Sequence, residues 1–405
     1  MSETTLKPGP SPSPTVRSEV FDYKHVGSRF AGLLLTAIIF LIVTFVVGSY
    51  NPKQFAFSWL FSFFFFFTIC MGGVFWQLVH HGFDAEWSVV VRRQMENLAA
   101  LLPVMGLLFI PLIFVAPILW KWMLPENAED PLLVAKQEYL NQPFFWTRAA
   151  LYFVYFTFVA LWFRRNSIAQ DQNGLGKYTI YARRMTFGVL PFFAICLTFS
   201  AFDWLMGLDY HWFSTMWGVY IFAGTALSSM CVLVLIITAL RGAGYFRDII
   251  TMEHYHIMGK LMLAFTVFWA YIGFSQYMLI WYANIPEETT WFLRRNTESW
   301  AYLNWALVIG HFFIPFVLLL QQPLKKMPRV LCGIAIWILA FHLLDHYINV
   351  LPMIHKAGVR PHPLDVLSLV AMGTTLATAF LFILGKSPLW PLRDPRLAAS
   401  IRLKN

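Results

Sequence analysis

Phe202-Asp203-Trp204-Leu205-Met206-Gly207-Leu208-Asp209-Tyr210-His211-Trp212-Phe213-Ser214 closes one long apolar segment, and residues 215–224 open the next. Read that way, the stretch is the tip of a tight helical hairpin. Asp203 lies inside the apolar pattern before the turn. An ionisable side chain there is costly, and when present it faces a bundle interior, a partner or water. An acid so placed points to the handling of protons, or of a polar headgroup, at one membrane face.

The same apolar pattern runs outward in both directions. Of the 405 residues, 58% are apolar and 13% charged, where a soluble chain carries about a quarter charged. Apolar windows of roughly 20 residues recur throughout, the length needed to cross a bilayer as a helix. The expectation is an all-α polytopic membrane protein with ten spans, near 28–48, 57–80, 98–120, 144–163, 185–208, 213–240, 257–281, 300–320, 327–350 and 366–384. Residues 1–27 read as a polar tail with prolines at Pro8, Pro10, Pro12 and Pro14, disordered and without a cleavable signal peptide. Residues 385–405 read as a basic tail.

An even span number puts both ends of this sequence on one side, and charge says which. Twenty of the 30 Lys and Arg lie in the tails and even-numbered loops, against eight on the opposite side; Arg29 and Lys260 sit just inside spans. The positive-inside rule then makes the tail side cytoplasmic. The net charge of +9 is accounted for by these loops, with no need of nucleic acid. The long loop 123–142 on the far side, with Glu126, Glu129, Asp130 and Glu138, reads as a docking surface.

Several features have ordinary explanations. The run Phe63 to Phe67 fits lipid contact and helix packing. Gly224/Ser228 and Gly373/Ala377 have the small-xxx-small spacing that lets helices approach. Residues 87–98, with Arg92 and Arg93, read as an amphipathic helix on the inner surface. Cys70, Cys196, Cys231 and Cys332 all lie in apolar segments and form no CxxC or CxxCH motif. That argues against c-type haem attachment, a zinc site or a cysteine-held iron–sulfur cluster on this chain.

Few polar groups remain within the spans. They are His80 and His81 at the inner end of the second, Asp203 near the outer end of the fifth and Lys260 at the inner end of the seventh. His311 lies in the middle of the eighth, and His342, Asp345 and His346 in the outer half of the ninth. Positions 342, 345 and 346 share one helix face, where a histidine–carboxylate pair can hold a proton between them. Together these groups define a discontinuous proton route from His80, His81 and Lys260, through His311, to His342, Asp345, His346 and Asp203. Each also has a plainer use. Lys260 can snorkel, the paired histidines can be solvated, and His311 can bond a neighbouring helix. His311 with His342 or His346 could instead ligate a b-type haem.

The quoted turn resembles the NrfD-like, polysulfide-reductase-type membrane subunits of alternative complex III. So do Trp87-Ser88-Val89-Val90-Val91-Arg92-Arg93 with Glu96-Asn97, Glu253-His254-Tyr255-His256 with Gly259-Lys260-Leu261, and Phe268-Trp269-Ala270-Tyr271. The most specific match is Phe274-Ser275-Gln276-Tyr277-Met278-Leu279-Ile280-Trp281-Tyr282-Ala283-Asn284-Ile285-Pro286-Glu287-Glu288-Thr289. The resemblance spans roughly residues 57 to 350 and is closest to the smaller of the two such subunits. It implies two four-helix bundles, spans two to five and six to nine, flanked by spans one and ten, in a bacterial cytoplasmic membrane. It also implies a complex that oxidises menaquinol or another quinol. The electrons then pass through iron–sulfur clusters and haem c on partners: an iron–sulfur subunit, multihaem and monohaem cytochrome c subunits, the larger NrfD-like paralogue and small membrane subunits.

The smaller subunit is associated with proton conduction. Asp203-Trp204 stands where the larger paralogue has Asp-Phe, which carries a proton-accepting or quinone-binding role onto Asp203 and Trp204. Gly207 and Tyr210, where serine and proline are expected, change the turn and leave the acid. Three functions compete: a non-haem subunit of a quinol oxidoreductase with a proton route and a quinone site, a structural anchor of that complex, and an independent proton-coupled transporter.

Overall fold

The computed structural model describes residues 19–22 and 27–404, so most of the expected N-terminal tail lies outside the described residues. Among the described residues, ten helices are long and apolar enough to cross a membrane: Gly27–Tyr50, Pro52–Gly82, Val89–Phe114, Gln142–Asn173, Lys177–Leu208, Trp217–Gly242, Met252–Ala283, Glu298–Leu320, Pro328–Met353 and Pro363–Leu384. Each overlaps one of the ten expected spans. Among the described residues the only β pairing is a single bridge between Val20 and Pro388.

The ends of these helices are written locally. Asn51 and Asn141 accept from the backbone N–H groups of Gln54 and Phe144, each with proline just inside the helix. Such caps satisfy donors that the helix itself cannot. The fourth span ends at Gly174 and the seventh at Asn284, both in the left-handed region, the usual helix stop.

Spans two to five pack together, as do six to nine, and the second and sixth meet along the seam between the two groups. The first span lies against the tenth, which lies against the second. Burial follows this order: the apolar window of the second span is 94% buried and that of the first 11%. Close approach at the seam needs glycine, because a Cβ on Gly72 would fall 1.9 Å from Ser229 Oγ. Of the five phenylalanines, Phe63, Phe64, Phe65 and Phe67 are buried against protein and Phe66 is half-buried. Phe63, Phe64 and Phe67 surround Trp204 at 5.3–6.3 Å between ring centroids.

The segment expected as a surface helix is instead the buried start of the third span. Every residue of Val89–Ala99 is buried. Arg92 and Arg93 can lie there because Glu96, Asp171 and Asp394 neutralise them. Nor is 385–404 a free tail. Leu389, Trp390 and Leu397 are buried, and Gln94 donates to the Leu389 carbonyl across the basic end of the bundles. On the opposite face the loop 123–142 folds back on the Asp209–His211 turn. Lys136 donates to the Tyr210 carbonyl and Tyr210 to Asp130, while Glu126, Glu129 and Glu138 stay exposed.

Candidate functional site

A cavity of about 540 Å³ lies in the second bundle, on the half away from the basic face. Trp217, Tyr220, Trp269, Phe274, Tyr277, Trp291, Trp305 and Phe312 give it aromatic walls, and its polar or charged groups include Asp345, Asn349, Gln276, Arg295, Asn296 and Asn304. Phe274, Tyr277, Trp305 and Phe313, on spans seven and eight, are exposed on the flank of the bundle. The cavity thus opens sideways between these two spans, toward lipid. A largely apolar cleft with a few convergent polar groups is the usual form of a small-molecule site.

Asp345 is 3% exposed and is reached by donors from three helices. Tyr220 donates to Oδ1 at 2.5 Å, Asn349 to Oδ1 at 3.0 Å and Trp269 Nε1 to Oδ2 at 3.3 Å. The sequence pattern pairs this acid with its helix neighbours His342 and His346; their bonds run elsewhere. His342 Nε2 lies 3.0 Å from Thr68 Oγ1 on the second span and 3.2 Å from His346 Nε2. The Thr68 hydroxyl donates to the Phe65 carbonyl. With that hydroxyl so engaged, a proton on His342 Nε2 can be given to Thr68 Oγ1. The Nδ1 atoms of both imidazoles are buried without a partner.

His311 sits in a π-helical turn, Val308–Phe313, that interrupts the eighth span. Such a turn inserts one residue into a helix and often marks a functional position. Its ring packs against Trp269 at 4.2 Å and lies 6.2 Å from His342, both nitrogens unpartnered. None of the three histidines belongs to the cavity lining. His342 and His346 are bonded to one another, and His311 lies outside that pair.

Comparison with protein-family models and with curated proteins finds no match for this chain.

Asp203 belongs to the other bundle. Arg148 grips it through Nε at 2.9 Å and Nη2 at 2.8 Å, and Tyr139 and Tyr152 donate to it at 2.8 and 2.9 Å. Asp203, expected as a proton acceptor, here forms a closed, buried ion pair with Arg148 of the fourth span. Trp204 packs face to face with Phe153 at 5.5 Å. Neither Asp203 nor Trp204 lines the cavity.

At the basic face, His80 sits among charges. Its Nδ1 is 2.6 Å from Ser88 and its Nε2 2.9 Å from Arg92 and 3.2 Å from Arg396. His81 stacks on Phe163, and Lys260 is exposed, as snorkelling requires. The second span carries both Thr68 and His80, twelve residues and about 18 Å apart. The expected route residues thus fall in an inner group at the basic face and an outer group around Asp345.

Asp394 ties the C-terminal segment to this cluster. Burial opposes its charge, but Arg92 and Arg396 more than offset that and hold its carboxyl well below the ordinary 3.8. A carboxyl depressed on folding contributes stability above its unfolded value, lost as pH falls through the folded one. Amide exchange is expected to show segment 385–404 protected from neutral pH down to about pH 4 and released only in stronger acid. Release between about pH 6 and 5 would assign the tie to a histidine instead.

Proposed function

We propose that this chain is a membrane subunit of a quinol:acceptor oxidoreductase of the alternative-complex-III type, and that the cavity of its second bundle takes the quinol ring. The observation that carries the reading is a buried carboxylate, Asp345, among the aromatic walls of a cavity open toward lipid. A quinol is apolar, lives in the bilayer and must lose two protons and two electrons to become quinone. Asp345 is the first acceptor of a ring proton, in a site dry enough for the transfer to be directed. The two electrons leave to an acceptor on a partner, for which iron–sulfur clusters and haem c are the expected class. The His342–His346 pair and His311 border Asp345's donors and extend the proton route within the outer half. With the basic face cytoplasmic, those protons leave outward, in a bacterial inner membrane.

Filling the cavity tests this. Gly273 lines it, and a Cβ there would stand 3.2 Å from Tyr220. The complex carrying Gly273→Leu is expected to assemble with its usual subunits while quinol-dependent turnover falls at least about tenfold. Normal turnover in the assembled variant would favour a structural anchor. Proton uptake by the isolated chain in liposomes would favour a transporter.

A further inference from the structure

Arg295 is 4% exposed, lines the same cavity, and forms no ion pair with a carboxylate among the described residues. Its neighbour Arg294 takes Asp209. Three backbone carbonyls hold the guanidinium in place: Ile348 accepts from Nε at 3.1 Å, Trp291 from Nη1 at 3.0 Å and Asn349 from Nη2 at 2.8 Å. The group also lies over the Trp291 ring, 3.2 Å from its centroid. A guanidinium has five N–H donors, so two remain for whatever fills the cavity. The Asp209 carboxylate acts on it only from beyond ion-pair distance, and a buried cation without a paired acid is costly unless something else meets its charge.

The placement relates Arg295 to Asp345. Asn349 donates its side chain to Asp345 and lends its carbonyl to Arg295. It lies one helical turn beyond the acid, about 6 Å along the axis. An acceptor and a donor therefore address one cavity from successive turns. Gln276 Oε1, buried and unpartnered in the same lining, is a further sign that a polar ligand belongs there.

We infer that Arg295 is the second polar contact of the ligand, donating to an oxygen on the ring edge opposite the one that faces Asp345. The site then selects rings with two opposed oxygens over rings with one. This rests on the quinol reading of the cavity and adds a specificity residue to it.

The test uses the full chain, purified with the subunits that accompany it in mild detergent, and anaerobic equilibrium dialysis. The probes are durohydroquinone and durenol, the same methylated ring with one oxygen removed. Wild type is expected to bind durohydroquinone at least about tenfold more tightly, the size of a charged hydrogen bond. Arg295→Gln is expected to bring durohydroquinone down to the durenol level and leave durenol unchanged. Arg295→Lys is expected to retain part of the preference. Equal affinity of wild type for both probes overturns the inference, whatever the variants do. So does an Arg295→Gln variant that weakens both probes alike, which would make the residue a strut for the ninth span. If wild type binds neither probe, the quinol reading of the cavity fails with it.

Discussion

Asp345→Asn is expected to leave the complex assembled and to lower quinol-dependent turnover by at least about a hundredfold, the usual share of a positioned proton acceptor. Asparagine keeps the volume and removes the negative charge. Its amide has one acceptor oxygen, so it cannot take Tyr220, Asn349 and Trp269 as the carboxylate does. At least one of these donors is left over, and the new amide N–H groups need acceptors as well, at about 1–3 kcal/mol for each unmet group. That cost is modest against the stability of a ten-span protein, so the loss should appear in the rate before it appears in the fold. The measurement is turnover per assembled complex, with subunit content verified on the same sample. A variant that assembles and turns over normally would remove Asp345 from the reaction.

Arg148→Ala is expected to have the largest effect on stability. It strips Asp203 of both guanidinium bonds and leaves a buried carboxylate with two tyrosine hydroxyls. Breaking one half of a buried pair costs about 3–5 kcal/mol, whereas replacing both halves by apolar groups is often near neutral. The double variant Arg148→Met with Asp203→Leu should therefore melt closer to wild type than either Arg148→Ala or Asp203→Ala alone. Thermal unfolding in mild detergent reads this directly. The opposite pattern, with stable single variants that lack turnover, would return Asp203 to the role of proton acceptor.

The spans were legible because a helix in lipid must satisfy its own backbone, which leaves a long apolar run as its signature. The shared face of His342, Asp345 and His346 was legible for a similar reason, since helix spacing places neighbours without knowledge of the fold. What the acid bonds to was not. Tyr220 and Trp269 lie 125 and 76 residues from Asp345 in sequence, and nothing local in an aromatic-rich chain singles them out. Arg148 did leave a trace, as a charge inside the limits of an expected span. Arg295 left none: it reads as one of a pair of loop arginines, and only the packing of Pro286–Arg295 over the cavity separates it from Arg294. The third span shows the same limit from the other side. Arg92 and Arg93 mark a surface by composition, and their burial depends on Asp171 and Asp394, 78 and 302 residues from Arg93 and Arg92 respectively.

The π-helical turn at Val308–Phe313 has a consequence for how this wall of the cavity is specified. Removing any one residue from that turn would restore a regular helix and rotate the segment before it by about 100° relative to the segment after it. Trp305 and Ala301 would swing off the cavity while the far half of the span kept its neighbours. The binding face of the eighth span is thus keyed to chain length, a property that no single side-chain replacement can mimic and one deleted codon would erase.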